Sequence, residues 1–108
     1  MRNLLVLIFF LSFSAFSIEQ EDLWDKLDKQ YIESVKLQNH KQALSIAFEL
    51  NRIDPSDTQA MLYIVLSSIK SNTKIPVWVL KENWSHKTSQ DVLNRLVAEQ
   101  LVQSVIGS

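Results

Sequence analysis

Cysteine is absent from the 108 residues, and glycine occurs only once, at Gly107. Without a thiol, the chain has no disulfide, no thiolate metal ligand and no cysteine nucleophile. Without an internal glycine, it has no glycine-rich loop to hold a phosphate. The only prolines are Pro55 and Pro76. The fold must therefore be held by packing alone, which suits a helical domain whose contacts are mostly local.

The amino-terminal segment has the layout of a secretory signal peptide. Arg2 supplies a positive charge, residues 4–16 are apolar apart from two serines, and residues 15–17 offer small side chains for cleavage. The apolar run is only about two-thirds of the roughly 20 residues that a spanning helix needs, so an uncleaved anchor is the less favoured alternative. We predict a signal peptide over residues 1–17, a single domain over residues 18–108 and a periplasmic or secreted protein with no stable membrane insertion after cleavage.

The predicted mature chain is small and nearly neutral. Of the 108 residues, removal of the first 17 leaves 91, with ten basic and 12 acidic side chains and a formal charge of −2. This balance does not indicate nucleic acid or an anionic membrane surface as partner. A chain of this size buries only about 60% of its unfolded surface, which predicts one modest core.

Apolar residues recur three or four positions apart along most of the mature chain, which is the helical spacing. The pattern predicts an all-α fold, a small bundle of antiparallel helices, about four to five in number. Their expected positions are residues 19–38, 41–53, 57–71, 76–84 and 88–106. The fourth segment is also rich in β-branched and aromatic residues that suit a strand. A helix is predicted there because no second strand-like run exists to pair with it.

The third and last predicted helices carry the strongest apolar patterns. From Ala60 to Ile69 the only polar side chains are two serines and a tyrosine, so we expect this helix at the centre of the bundle. The alternative is that one of its faces is exposed for a partner. In the last helix, Thr88 and Asp91 resemble a capping box with Asp in place of Glu. The clearest helical stripe follows in that helix, formed by Val92, Leu93, Leu96, Val97, Leu101 and Val105.

The second predicted helix lies between a polar turn and Pro55, and it combines small and bulky apolar residues. Its two alanines, Ala43 and Ala47, would let a neighbouring helix approach closely. The apolar stripe consists of Ala43, Leu44, Ala47 and Phe48, widened by Leu50 and Ile53.

Several positions from Trp24 to Pro55 follow a known spacing. Trp24, Leu27 and Tyr31 match the opening W-x₂-L-G-x₂-Y, and Ala43 and Pro55 match the second half, of the tetratricopeptide repeat. This stretch therefore resembles one degenerate tetratricopeptide repeat in the amino-terminal half of the mature chain. The resemblance implies a helix–turn–helix and a protein-binding scaffold, not a chemistry.

The chain departs from that family at three points. Asp28 stands in place of the family glycine, Ala47 stands in place of the expected phenylalanine, and three extra residues separate the two halves. An insertion of nearly one helical turn roughly keeps the packing face. A generic antiparallel helix pair with an alanine seam is the alternative to the repeat.

No group of residues in the sequence predicts a catalytic, cofactor or metal site. His40 and His86, the only histidines, fall in predicted breaks, and neither has a histidine or acid four residues later on a helix. Two pairs of aspartates three residues apart are explained by turns, caps and a solvated helix face. We therefore expect no enzyme activity, no cofactor and no metal.

Trp78, Lys81 and Trp84 are the predicted partner-binding residues, because aromatic side chains beside loops often anchor partners. Trp78 has apolar neighbours and is expected to be buried, whereas Trp84 has polar neighbours and is expected to be exposed. The alternative is that both tryptophans complete the core.

The function predicted from these features is an exported, non-enzymatic protein–protein interaction module in the bacterial periplasm. Its partner would be another protein. One alternative is an immunity or inhibitor protein against an envelope toxin. Another is a small metal-dependent hydrolase that uses His40 or His86.

Overall fold

The computed structural model describes the backbone of residues 19–82 and 84–106, and the side chains of these ranges from Leu23 onward. The predicted signal peptide lies outside the described residues. Within them the fold is all-helical, which confirms the predicted fold class, and residues 76–84 contain a short helix rather than a strand. The helices are α1 (Glu19–Lys36), α2 (His40–Ile53), α3 (Thr58–Lys70), α4 (Val77–Lys81) and α5 (Ser89–Ile106).

Short polar segments end one helix and begin the next. Gln38 and Asn72 adopt φ of 59° and 56°, the left-handed conformation that commonly follows a helix carboxyl end. The Asn39 side chain accepts a hydrogen bond from the Gln42 amide at the start of α2. Asp57 does the same for the Gln59 amide at the start of α3, at 2.8 Å.

The capping box predicted before the last helix is present. The Asp91 amide donates to Thr88 Oγ1 at 3.1 Å, and the Thr88 amide donates to Asp91 Oδ2 at 2.9 Å. The Lys87 amide also donates to Asp91 Oδ2, at 3.0 Å. Asp performs the role of Glu here, and these bonds fix where α5 begins.

The first three helices follow each other in antiparallel order, and α1 and α3 run in the same direction. The Tyr63 hydroxyl donates to Asp28 Oδ1 at 2.8 Å, and the Tyr31 and Ser67 hydroxyls lie 2.8 Å apart. The rings of Tyr31 and Tyr63 stack with centroids 3.7 Å apart. The later residue of α1 pairs with the later residue of α3, so these two helices are parallel. Helix α2 packs against both of them.

The pair α3 and α5 is also parallel. Thr58, at the start of α3, bonds to Asp91 near the start of α5. At the other end, Ile69 and Val102 line one cavity. Residues 71–88, which include α4, return the chain to the same end of the domain and make this direction possible.

The core centres on α3, as the sequence predicted. Ala60, Ile64 and Val65 are completely buried, and α3 packs against α2, α4 and α5. From α2, the alanine seam of Ala43 and Ala47 is also completely buried. These small residues let the helices approach closely enough for bulky neighbours to interlock.

Two members of the predicted α2 stripe lie outside the core. Phe48 is 39% exposed and Ile53 is 37% exposed, while Ile46 is buried instead. The reason is that α2 is covered by α1 on one side and by α3 on another. The buried arc of the helix is therefore centred on Ala43, Ala47 and Leu50, and the residues at its edges remain open.

Candidate functional site

The structure reverses the burial predicted for the two tryptophans of the candidate site. Trp84 is only 3% exposed, whereas Trp78 is 40% exposed. The Trp84 Nε1 donates to the carbonyl oxygen of Val79 at 2.8 Å, so its polar atom is satisfied inside the domain. The prediction was wrong because polar sequence neighbours do not show where a loop folds back.

Arg95 holds Trp84 in place and was not singled out from the sequence. Its guanidinium carbon lies 5.0 Å from the centre of the Trp84 ring, within cation–π range. Its Nη2 donates to the Leu80 carbonyl at 2.8 Å, and its Nε donates to Glu99 Oε1 at 2.7 Å. Arg95 therefore joins α4 to α5. The four-residue spacing of Arg95 and Glu99 signals only their own pairing.

Trp78 and Lys81 are the exposed members of the predicted partner site. Trp78 borders a small recess of about 300 Å³ together with Pro55, Met61 and Glu82. Lys81 is exposed at the end of α4. A partner role for Trp78, Lys81 and Trp84 stays a prediction, and the accessible ring belongs to Trp78.

A buried polar network joins the start of α3 to the start of α5. Thr58 Oγ1 donates to Asp91 Oδ1 at 2.7 Å, and Asn94 Nδ2 donates to Thr58 Oγ1 at 3.0 Å. The Gln90 side-chain amide donates to Asn94 Oδ1 at 2.9 Å. Thr58 and Asn94 are 2% and 3% exposed, so these bonds satisfy groups that would otherwise be buried without partners.

This network affects the acidity of the carboxyl groups near it. The hydrogen bond from Thr58 is the main cause that lowers the pKa of Asp91, and the amides of Thr88 and Lys87 add to it. Asp57, which caps α3, shows the opposite shift, because partial burial raises its pKa. Asp91 is therefore an ionised acceptor that fixes α5 against α3.

The hydrogen bonds of this network hold one face of α5 against the bundle and leave the opposite face exposed to solvent. Asn94 and Ala98 are buried against the bundle, with Leu101 half-buried beside them. The predicted stripe, which an amphipathic helix normally turns toward its core, is largely exposed instead. Val105, near the carboxyl end, is 46% exposed, and four exposed members lie together in the first half of the helix: Val92 at 44%, Leu93 at 50%, Leu96 at 54% and Val97 at 38%. We call these four residues the outer face of α5.

The outer face of α5 is uncharged as well as apolar. The charged residues of α5 are Asp91, Arg95 and Glu99, which are spaced four apart and so lie along one row of the helix. Beyond the apolar residues, the outer side continues with the neutral Gln100 and Gln103. Contiguous exposed apolar surface of this kind commonly marks an interaction site.

Neither histidine belongs to the outer face of α5 or to the residues that line the recess beside Trp78. His40 is half-buried at the start of α2, and His86 is exposed before α5. Across the described side chains, no three His, Cys, Asp or Glu residues come close enough together to hold a metal ion. Among the described helices, none combines the length and the apolar character needed to cross a membrane.

Together these features define a small all-α domain in which α1, α2 and α3 pack in order, α5 packs on α3, and α5 leaves an apolar face open. Comparison of this chain with protein-family models, curated proteins and solved structures finds no match.

Proposed function

We propose that this chain is an exported, non-enzymatic protein-interaction module of the bacterial periplasm, and that it binds an amphipathic helix of another protein on the outer face of α5. The observation that carries this proposal is the exposure of Val92, Leu93, Leu96 and Val97 on one uncharged helix face. The apolar leader of the sequence supports export.

The order of the helices supports a repeat-like interpretation of this face. A hairpin of α1 and α2 is followed by α3 parallel to α1, then by the short α4, then by α5 parallel to α3. In tetratricopeptide-like arrays each unit leaves a face that the next unit covers, and a terminal unit needs a polar outer surface. Here the last helix has an apolar outer surface, and a helix from a partner would occupy the position of the next unit.

The spacing of the apolar residues on the outer face of α5 indicates what kind of partner surface would fit it. Four apolar side chains at positions i, i+1, i+4 and i+5 make a stripe suited to an amphipathic helix with its own apolar stripe. Because the face has no charge, a partner that presents charged groups at the contact would lose their hydration without compensation. The expected partner surface is therefore aliphatic, with neutral polar groups opposite Gln100 and Gln103.

Acidic substitution of the outer face tests the proposal. Both Leu93 and Leu96 are at least half exposed, so the double variant Leu93→Glu, Leu96→Glu should keep its helical circular dichroism. A partner recovered from envelope extract should bind the native chain at least about 30-fold more tightly than the variant, by direct titration. The matched control is Leu37→Glu, which changes an apolar residue that is 71% exposed at the other end of the bundle.

The same titration tests the surface around Trp78 as the alternative partner-binding site. If Trp78→Ala removes binding while the double α5 variant keeps it, the partner site lies around Trp78 and the assignment to α5 is wrong. An immunity or inhibitor role would appear as a recovered toxin whose activity falls on binding. Stoichiometric zinc binding that disappears in His40→Ala or His86→Ala would overturn the non-enzymatic assignment.

A further inference from the structure

A second open surface lies at the opposite end of α5, where the carboxyl ends of α3 and α5 meet α4. It is a cavity of about 690 Å³ that opens to solvent on one side. This volume falls within the range of about 300–1,000 Å³ usual for small-molecule sites. Its walls are mainly aliphatic, with Ile69, Ile75, Val77, Leu80, Val102 and Ile106 among them.

The polar lining of this cavity is concentrated in one loop. Asn72, Thr73 and Lys74 follow each other there. Asn72 and Thr73 are exposed, so their polar side chains are accessible to a ligand at this end of the cavity.

The charge around this loop is positive. Lys74 is exposed and forms no ion pair within the described part of the chain. From Thr58 to Lys81 the sequence contains no acidic residue, and it contains three lysines. A ligand with an anionic end would therefore meet the Lys74 ammonium group at the polar end of the cavity.

The distribution of polar groups indicates the shape of the ligand. A bound peptide strand needs donors and acceptors along its whole length, because each buried amide without a partner costs free energy. The aliphatic walls offer no such side chains, and among the described residues no aromatic ring lines the cavity for stacking. The lining fits a molecule with a long saturated chain and one polar end.

We propose that this cavity binds a free fatty acid, with its alkyl chain between the ends of α3, α4 and α5 and its carboxylate at Lys74. Burial of the alkyl chain against aliphatic walls supplies most of the binding free energy. Lys74 supplies the preference for a carboxylate. This ligand site is separate from the outer face of α5, so either proposal can fail without the other.

The test uses the purified full chain and a dansyl-labelled fatty acid whose fluorescence rises in an apolar site. Saturable binding is expected, with displacement by palmitate. The double variant Val77→Asp, Ile106→Asp places charge in the apolar wall at residues that are 60% and 72% exposed, so folding should be kept. It should weaken the binding of both palmitate and hexadecanol at least about tenfold. The control Leu37→Asp, a similarly exposed apolar site elsewhere, should leave both unchanged.

The head group is tested separately. Lys74→Ala should weaken palmitate binding about three- to tenfold and leave hexadecanol unchanged, because only the carboxylate interacts with the cation. Lys70→Ala, which changes an exposed lysine outside the cavity, is the matched control and should change neither ligand.

Three results would overturn the proposal. One is the absence of saturable probe binding. The second is probe binding that survives in the Val77→Asp, Ile106→Asp variant, which would place the ligand elsewhere on the chain. The third is displacement by phosphatidylcholine vesicles but not by palmitate, which would identify a phospholipid instead of a free fatty acid.

Discussion

At the scale of single residues, Trp84 has the most consequential contacts. Its ring packs under Arg95, its Nε1 bonds to the Val79 carbonyl, and it is almost completely buried. Trp84→Ala should therefore lower the free energy of unfolding by about 3–5 kcal/mol, measured by urea denaturation. A buried indole contributes through its area, its hydrogen bond and its cation–π contact together.

Trp78→Ala is the matched comparison, because it removes the same side chain from the same short segment. With 40% of Trp78 exposed, the loss should be smaller, on the order of 1–2 kcal/mol. Equal losses in the two variants would contradict the burial described here.

The tyrosine pair predicts a stability change in alkali. Burial, and next the hydrogen bond to the Asp28 carboxylate, raises the pKa of Tyr63 from 10.0 to about 12. Burial also raises the pKa of Tyr31. Because the fold holds the neutral phenol, its stabilisation is complete below pH 10 and is lost as the pH rises from about 10 through 12. Unfolding free energies measured across this window should fall.

Tyr63→Phe distinguishes this cause from general alkaline damage. The variant lacks the titrating hydroxyl, so its stability should depend less on pH between about 10 and 12. The tyrosinate absorbance of the native protein, which reports only Tyr31 and Tyr63, should rise at a higher pH than that of a free phenol, because burial raises both pKa values. A Tyr63→Phe variant with the same alkaline decline as the native chain would refute this account.

At the scale of elements, the alanine seam of α2 sets how closely the first three helices pack. Ala43 and Ala47 are both completely buried. Ala47→Leu inserts extra methylene groups into a full interface, and it should cost about 1–3 kcal/mol in thermal or urea unfolding. The same cost is expected for Ala43→Leu.

Ser45→Leu is the control for this helix, because Ser45 is exposed and the substitution adds the same kind of side chain. It should change the unfolding free energy by no more than about 0.5 kcal/mol. If both alanine variants were as stable as Ser45→Leu, the close helix packing described here would be wrong.

At the scale of the whole molecule, the predicted export can be tested directly. The apolar run and small residues before Ile18 predict cleavage after Ser17. Mass spectrometry of the protein isolated from its host should find a new amino terminus at Ile18. Full-length chain that stays in the membrane fraction after a carbonate wash would show an uncleaved anchor instead.

The sequence by itself determined the all-α class, the positions of the helices to within a few residues, and the central place of α3. These follow from local rules: apolar spacing marks helices, and the Thr88–Asp91 pair marks the start of α5. Pro76 stands directly before α4, where its fixed φ suits the start of a helix. Close packing at the alanine seam of α2 was also predicted from the sequence, because small residues at helical spacing let a neighbouring helix approach.

Only the tertiary structure decided which apolar side chains are covered. In α5 the periodic stripe is exposed, while Asn94 and Ala98 face the core. Periodicity measures amphipathicity within one helix, but burial depends on what lies opposite. Here Asn94 Nδ2 donates a hydrogen bond to Thr58 Oγ1 at the start of α3, which lies 36 residues earlier in the sequence. That distant partner lies on the core side of α5, so Asn94 faces inward and the apolar stripe faces solvent. Trp84 is buried by nearer contacts, to Val79 and Arg95, which its polar sequence neighbours did not indicate.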